Sequence, residues 1–69
     1  MADIGKEVGR RIRIYRTKRR MSQEDLAHEA ELHRAYIGQI ERGEKIIGVG
    51  NLRKIAKALK VKSSLLLDF

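Results

Sequence analysis

Gln23-Glu-Asp-Leu-Ala-His-Glu-Ala-Glu-Leu-His-Arg-Ala-Tyr-Ile-Gly-Gln-Ile-Glu-Arg42 reads as two short helices with a tight connection. The second of them has two unlike faces. At about 100° per residue, Ile37 and Ile40 fall together, with Tyr36 at their edge. Arg34, Ala35, Gly38, Gln39 and Arg42 fall on the opposite side. Long hydrogen-bonding side chains stand at the ends of that outward set, with very small residues between them. Small residues let a helix backbone approach a surface, and Arg and Gln reach guanine and adenine edges in the DNA major groove. The pattern predicts a DNA recognition helix over 34–42. On these residues alone an ordinary solvated face remains open, since Arg and Gln are common on any exposed helix.

Charge points the same way. The chain carries 16 basic and 9 acidic residues, a net +7, and they are segregated. Residues 1–20 hold Lys6, Arg10, Arg11, Arg13, Arg16, Lys18, Arg19 and Arg20 against two acids, and residues 45–62 hold six basic residues and no acid. The middle, 21–44, is acidic, with six acids and two basic residues. The excess suits a polyanion partner, although a solvated basic surface has the same composition. Three aromatics are too few for a platform stacking single-stranded bases. With no Cys there is neither a disulfide framework nor a thiolate metal site. The longest apolar run, Leu65 to Leu67, is far too short to span a membrane, and no apolar signal core follows the first charges; the expected address is cytoplasmic. No Ser/His/Asp set, paired carboxylates in an apolar setting, or phosphate loop suggests an enzyme.

Sixty-nine residues predict one domain, 1–69, with the two-helix unit at about 22–42. Asp3 is placed to cap a first helix whose stripe is Ile4, Val8, Ile12 and Tyr15. Ser22 starts the second helix, and Ser22-Gln23-Glu24-Asp25 has the form of a capping box with Asp as its third partner. Leu26, Ala27 and Ala30 give its buried face. Gln23, the first helical residue, is free to bond a phosphate or simply to face solvent. Glu31-Leu32-His33 forms the turn, and His33 is expected to cap the third helix, which Gly43 stops. A fourth helix, about Val49 to Leu59, buries Val49, Leu52, Ile55, Ala56 and Leu59. A short last helix ends near Phe69. Leu65, Leu66, Leu67 and Phe69 cannot all enter one small core, so about 61–69 is expected to form a dimer contact. A frayed helix covering the core is the plainer alternative.

Four separated blocks now carry a resemblance: Ser22-Gln-Glu-Asp-Leu-Ala27, Leu32-His-Arg-Ala-Tyr-Ile37, Ile40-Glu-Arg-Gly43 and Asn51-Leu-Arg-Lys-Ile-Ala-Lys-Ala-Leu59. In order and spacing they resemble the phage-repressor and Cro type of helix-turn-helix protein, the XRE family, over nearly the whole chain. The resemblance implies an all-α, five-helix fold and a homodimer on a palindromic double-stranded DNA operator, with no cofactor or small-molecule ligand. By position, it implies that Arg34, Ala35 and Gln39 read bases with Tyr36 at their edge. It implies that Gln23, His33, Arg42 and Lys45 meet the DNA backbone. Within the family, a compact chain without an effector domain resembles the controller proteins of restriction–modification systems. The same fold serves antitoxins, so a toxin partner is an alternative occupant of the apolar C-terminus. Glu31 stands where the family usually has Gly, which predicts a left-handed backbone at a non-Gly residue, costing about 1 kcal/mol. Gly48 replaces a capping Ser, Lys60 a terminating Gly, and Ile46 and Ile47 a polar–Pro pair.

Overall fold

Residues 3–69 are described by the computed structural model; the first two residues of the expected domain lie outside them. Five helices follow in order: α1 (Ile4–Lys18), α2 (Gln23–Ala30), α3 (Arg34–Glu41), α4 (Val49–Leu59) and α5 (Ser63–Leu67). No strand occurs among the described residues, and no described helix is long and apolar enough to cross a membrane.

Local chemistry sets the helix starts. The Asp3 carboxylate accepts the Lys6 N–H at 3.1 Å and opens α1. At α2 the box closes in both directions. Ser22 Oγ accepts the Asp25 N–H at 2.9 Å, and Asp25 Oδ2 accepts the Ser22 N–H at 2.9 Å. Asp is therefore long enough for the return bond. The expected His33 cap is not made: α3 starts at His33 without a side-chain hydrogen bond, and the imidazole is exposed. α4 likewise starts at Gly48 with no side chain to cap it.

The ends are set by left-handed residues. Glu31 (φ 57°, ψ 44°) closes α2 as its position in the turn required, and Lys60 (φ 58°, ψ 40°) closes α4. Arg20 (φ 55°), between α1 and α2, adopts the same conformation without a signal in the sequence. Gly43 (φ 72°) takes it without a Cβ penalty and turns the chain out of α3.

One core collects a stripe from every helix: Val8 and Ile12, then Leu26, Ala27 and Ala30, Ile37 and Ile40, Leu52, Ile55, Ala56 and Leu59, and finally Leu66. α2 packs between α3 and α4, and α1 lies against α3 and α5. Two stripe residues miss this core. Ile4 is 62% exposed and Val49 75%. Each is the first residue of its helix, and Cβ bonds tilt toward the helix N-terminus, so these side chains lean past the packed region. The α1–α3 crossing is close because of Gly9. A methyl group there would overlap the Ile40 carbonyl oxygen and stand 2.9 Å from that of Glu41.

Candidate nucleic-acid interface

Burying Ile37 and Ile40 fixes the rotation of α3 and turns the opposite side outward. Arg34 and Ala35 are exposed in its first turn, with His33 exposed just before them. Arg34 makes no ion pair among the described residues, so its guanidinium is available to a ligand. Gln39 is half-buried. Tyr36 lies at the edge of the face: its ring packs on the core and its hydroxyl accepts from Asn51 Nδ2 at 3.1 Å, which ties the start of α4 to α3.

Gly38 departs from the expected outward set. It is buried, because two side chains fold over it. A methyl group at Gly38 would lie 3.0 Å from Arg42 Nη1 and 3.6 Å from Gln23 Oε1. Only Ala35 remains as a small, open position on this face. Arg42 is exposed but engaged, with Nε donating to Glu44 Oε2 at 2.6 Å and Nη2 to Oε1 at 3.2 Å. The Arg42 guanidinium holds the Glu44 carboxyl below the usual carboxylate range. Lys45 is exposed in the loop that follows.

Beneath the face lies a junction whose members, apart from Gln23, were not singled out from the sequence as site residues. The Glu41 carboxylate, its side chain 3% exposed, accepts from Arg16 Nε at 2.6 Å and Nη2 at 3.0 Å. Arg16 Nη1 donates to the Met21 carbonyl at 2.7 Å. Gln23 Nε2 donates to Glu41 Oε1 at 3.2 Å, so Gln23 is not a free helix-start residue. The one acid of α3, next to the buried Ile40 in a chain whose α1 is rich in Arg, was the available signal.

The C-terminal stretch divides. Leu66 is fully buried in its own protomer's core, because α5 has only one side facing α1 and α4; it cannot also be a dimer contact. Leu65, Leu67 and Phe69 are exposed. The Arg11 guanidinium lies 5.2 Å from the Phe69 ring centroid and donates to the Leu65 carbonyl at 3.3 Å, tying this end to α1. Beside it is an apolar groove of about 140 Å³, lined in part by the exposed Ile4, Ile46, Val49 and Leu67. No cluster of metal-ligating side chains occurs among the described residues.

Comparison with known proteins gives a consistent picture. The helix-turn-helix family pattern matches residues 12–66. The control protein C.BamHI of Bacillus amyloliquefaciens is 50% identical over 62 residues, which span 88% of this chain and 76% of that protein. Among solved structures, the restriction–modification controller protein C.AhdI from Aeromonas hydrophila superposes with a TM-score of 0.88 at 39% identity, covering 96% of this chain and 98% of that one. The biofilm master regulator SinR, solved in complex with DNA, superposes with a TM-score of 0.85 at 32% identity, covering 88% of this chain and 98% of that one.

Proposed function

The chain belongs to the helix-turn-helix family, and from that premise we propose that it is a sequence-specific, double-stranded-DNA-binding transcriptional regulator. It acts as a homodimer on a palindromic operator, in the manner of a restriction–modification controller protein, and works in the cytoplasm. The observation that carries this reading is α3: Ile37 and Ile40 are buried on one side, while Arg34 and Ala35 stand open on the other.

Arg34 is the principal base contact, bidentate to guanine; Ala35 meets a thymine methyl and Gln39 reads adenine. Gln23, His33, Arg42 and Lys45 set register through phosphates, so affinity falls steeply with salt. Two copies of α3 must enter successive major grooves, about 34 Å apart. Leu65, Leu67 and Phe69, continued by the groove of Ile4, Ile46 and Val49, supply the apolar surface for the second copy.

Selection of bound duplexes from a random pool tests the reading. The expected outcome is a palindrome whose half-sites lie about 10 base pairs apart, centre to centre. Failure to enrich any sequence, or loss of all binding when competitor DNA is added, overturns it.

A further inference from the structure

We propose that Glu41 is a positioning residue for DNA binding: its buried carboxylate fixes which end of the Gln23 side-chain amide is offered to a phosphate. The inference rests on the reading that Gln23 meets the DNA backbone. A carboxylate is an acceptor only. The atom that Gln23 turns toward Glu41 must therefore be its nitrogen, found at 3.2 Å. The amide oxygen is then on the side of Gly38, 3.6 Å from where a methyl group there would stand. An NH₂ group carries two hydrogens; Glu41 takes one and leaves the other for a phosphate oxygen.

Glu41 can impose this because it is itself immobilised. Arg16 grips it with two hydrogen bonds and is in turn pinned by the Met21 carbonyl, one residue before the Ser22 cap of α2. A buried carboxylate holding a bidentate Arg has little freedom to turn away. With a neutral amide at position 41 that demand is lost. The Gln23 amide then turns over freely and presents its oxygen to the phosphate for part of the time, where two acceptors repel.

The sign of the effect separates this role from simple electrostatics. Removing a negative charge beside a polyanion tightens binding through charge alone. Positioning requires weaker binding. Affinity for the selected operator is measured for the wild type, Gln23→Ala, Glu41→Gln and the double variant. The temperature is one at which circular dichroism shows each chain folded. Gln23→Ala is expected to weaken binding roughly tenfold, the worth of a hydrogen bond to a charged group. Glu41→Gln is expected to weaken it by a similar factor, and the double variant to bind no more weakly than either single one. If the orphaned Arg16 prevents Glu41→Gln from folding, Arg16→Met/Glu41→Gln keeps the net charge of the wild type and carries the same expectation. The Gln23 side-chain amide resonances provide the second readout. One proton is shifted by its hydrogen bond in the wild type and returns to the unbonded position in either Glu41 variant. Binding by these variants as tight as the wild type, or losses that simply add in the double variant, overturn the positioning role alone. Wild-type binding by Gln23→Ala instead removes the phosphate contact and the inference with it.

Discussion

Two glycines allow the same substitution to be made with opposite expected signs. At Gly9 an added methyl group overlaps the backbone oxygen of Ile40 and crowds that of Glu41. Backbone carbonyls at the end of a packed helix cannot rotate out of the way as a side chain can. α1 and α3 must therefore part by roughly 1 Å to restore contact distances. Overpacking of this kind costs about 1–3 kcal/mol, and here the upper part of the range applies. Replacing a helical Gly by Ala returns about 1 kcal/mol of backbone entropy. The net for Gly9→Ala is a loss of about 2 kcal/mol. In a domain of this size each kcal/mol moves the midpoint by about 4–8 °C, so Tm should fall by about 8–16 °C.

Gly50, in the first turn of α4, has nothing within 4 Å of where its methyl would go. Gly50→Ala keeps the entropic gain without the clash and should raise Tm by roughly 4 °C. Thermal unfolding by circular dichroism at equal chain concentration, because the proposed dimer would link Tm to concentration, measures both. If Gly9→Ala stabilises the chain as Gly50→Ala does, the close α1–α3 crossing is wrong. The placement of Arg16 against Glu41 goes with it.

Arg34→Ala should cost about 1–3 kcal/mol in operator binding and relax the preference at one base position per half-site, read by titrating single-base operator variants. Leu67 is 48% exposed, so Leu67→Glu should leave the fold intact while shifting sedimentation from dimer to monomer and weakening operator binding. At Asp25, hydrogen bonding from the Ser22 backbone N–H, and then from its side chain, holds the carboxyl below its ordinary value. A depressed carboxyl contributes stability that is present above the unfolded value and is lost as pH falls through the folded one. The Tm advantage of the wild type over Asp25→Asn should accordingly shrink as pH is lowered from neutral into the acid range.

What could be read from the residues was whatever depends on neighbours along the chain. The bounds of α3 follow from Gly43 and the isoleucine spacing, and the Ser22 box needs only four consecutive residues. Glu31 takes the left-handed conformation because the turn geometry demands it, even of a residue that disfavours it. Periodicity, however, reports a direction around a helix axis. It is silent on how far along that axis the partner extends, so Ile4 and Val49 lie on the correct stripes and still overhang the core. Nor does it report which side chains arrive from elsewhere. Gly38 points outward by angle and is nevertheless buried, because Gln23 comes across from α2 and Arg42 folds back from the end of α3. Gly9 and Leu66 were opaque for the same reason: the role of Gly9 is set by α3, and that of Leu66 in part by α1, both far away in sequence. This division bears on recognition itself. The C-terminal half of the α3 face is already occupied, with Arg42 bound to Glu44 and Gln23 bound to Glu41. The N-terminal half, Arg34 and Ala35, has no partner within the protomer among the described residues. An Arg42 contact must be won by exchange against its hydrogen bonds to Glu44, whereas Gln23 keeps one amide hydrogen beside its bond to Glu41 and contacts from the N-terminal half require no bond to be broken. On the proposed reading, the first turn of α3 therefore offers the base contacts that cost no hydrogen bond within the protomer, and the half-buried Gln39 adds to them further along the helix.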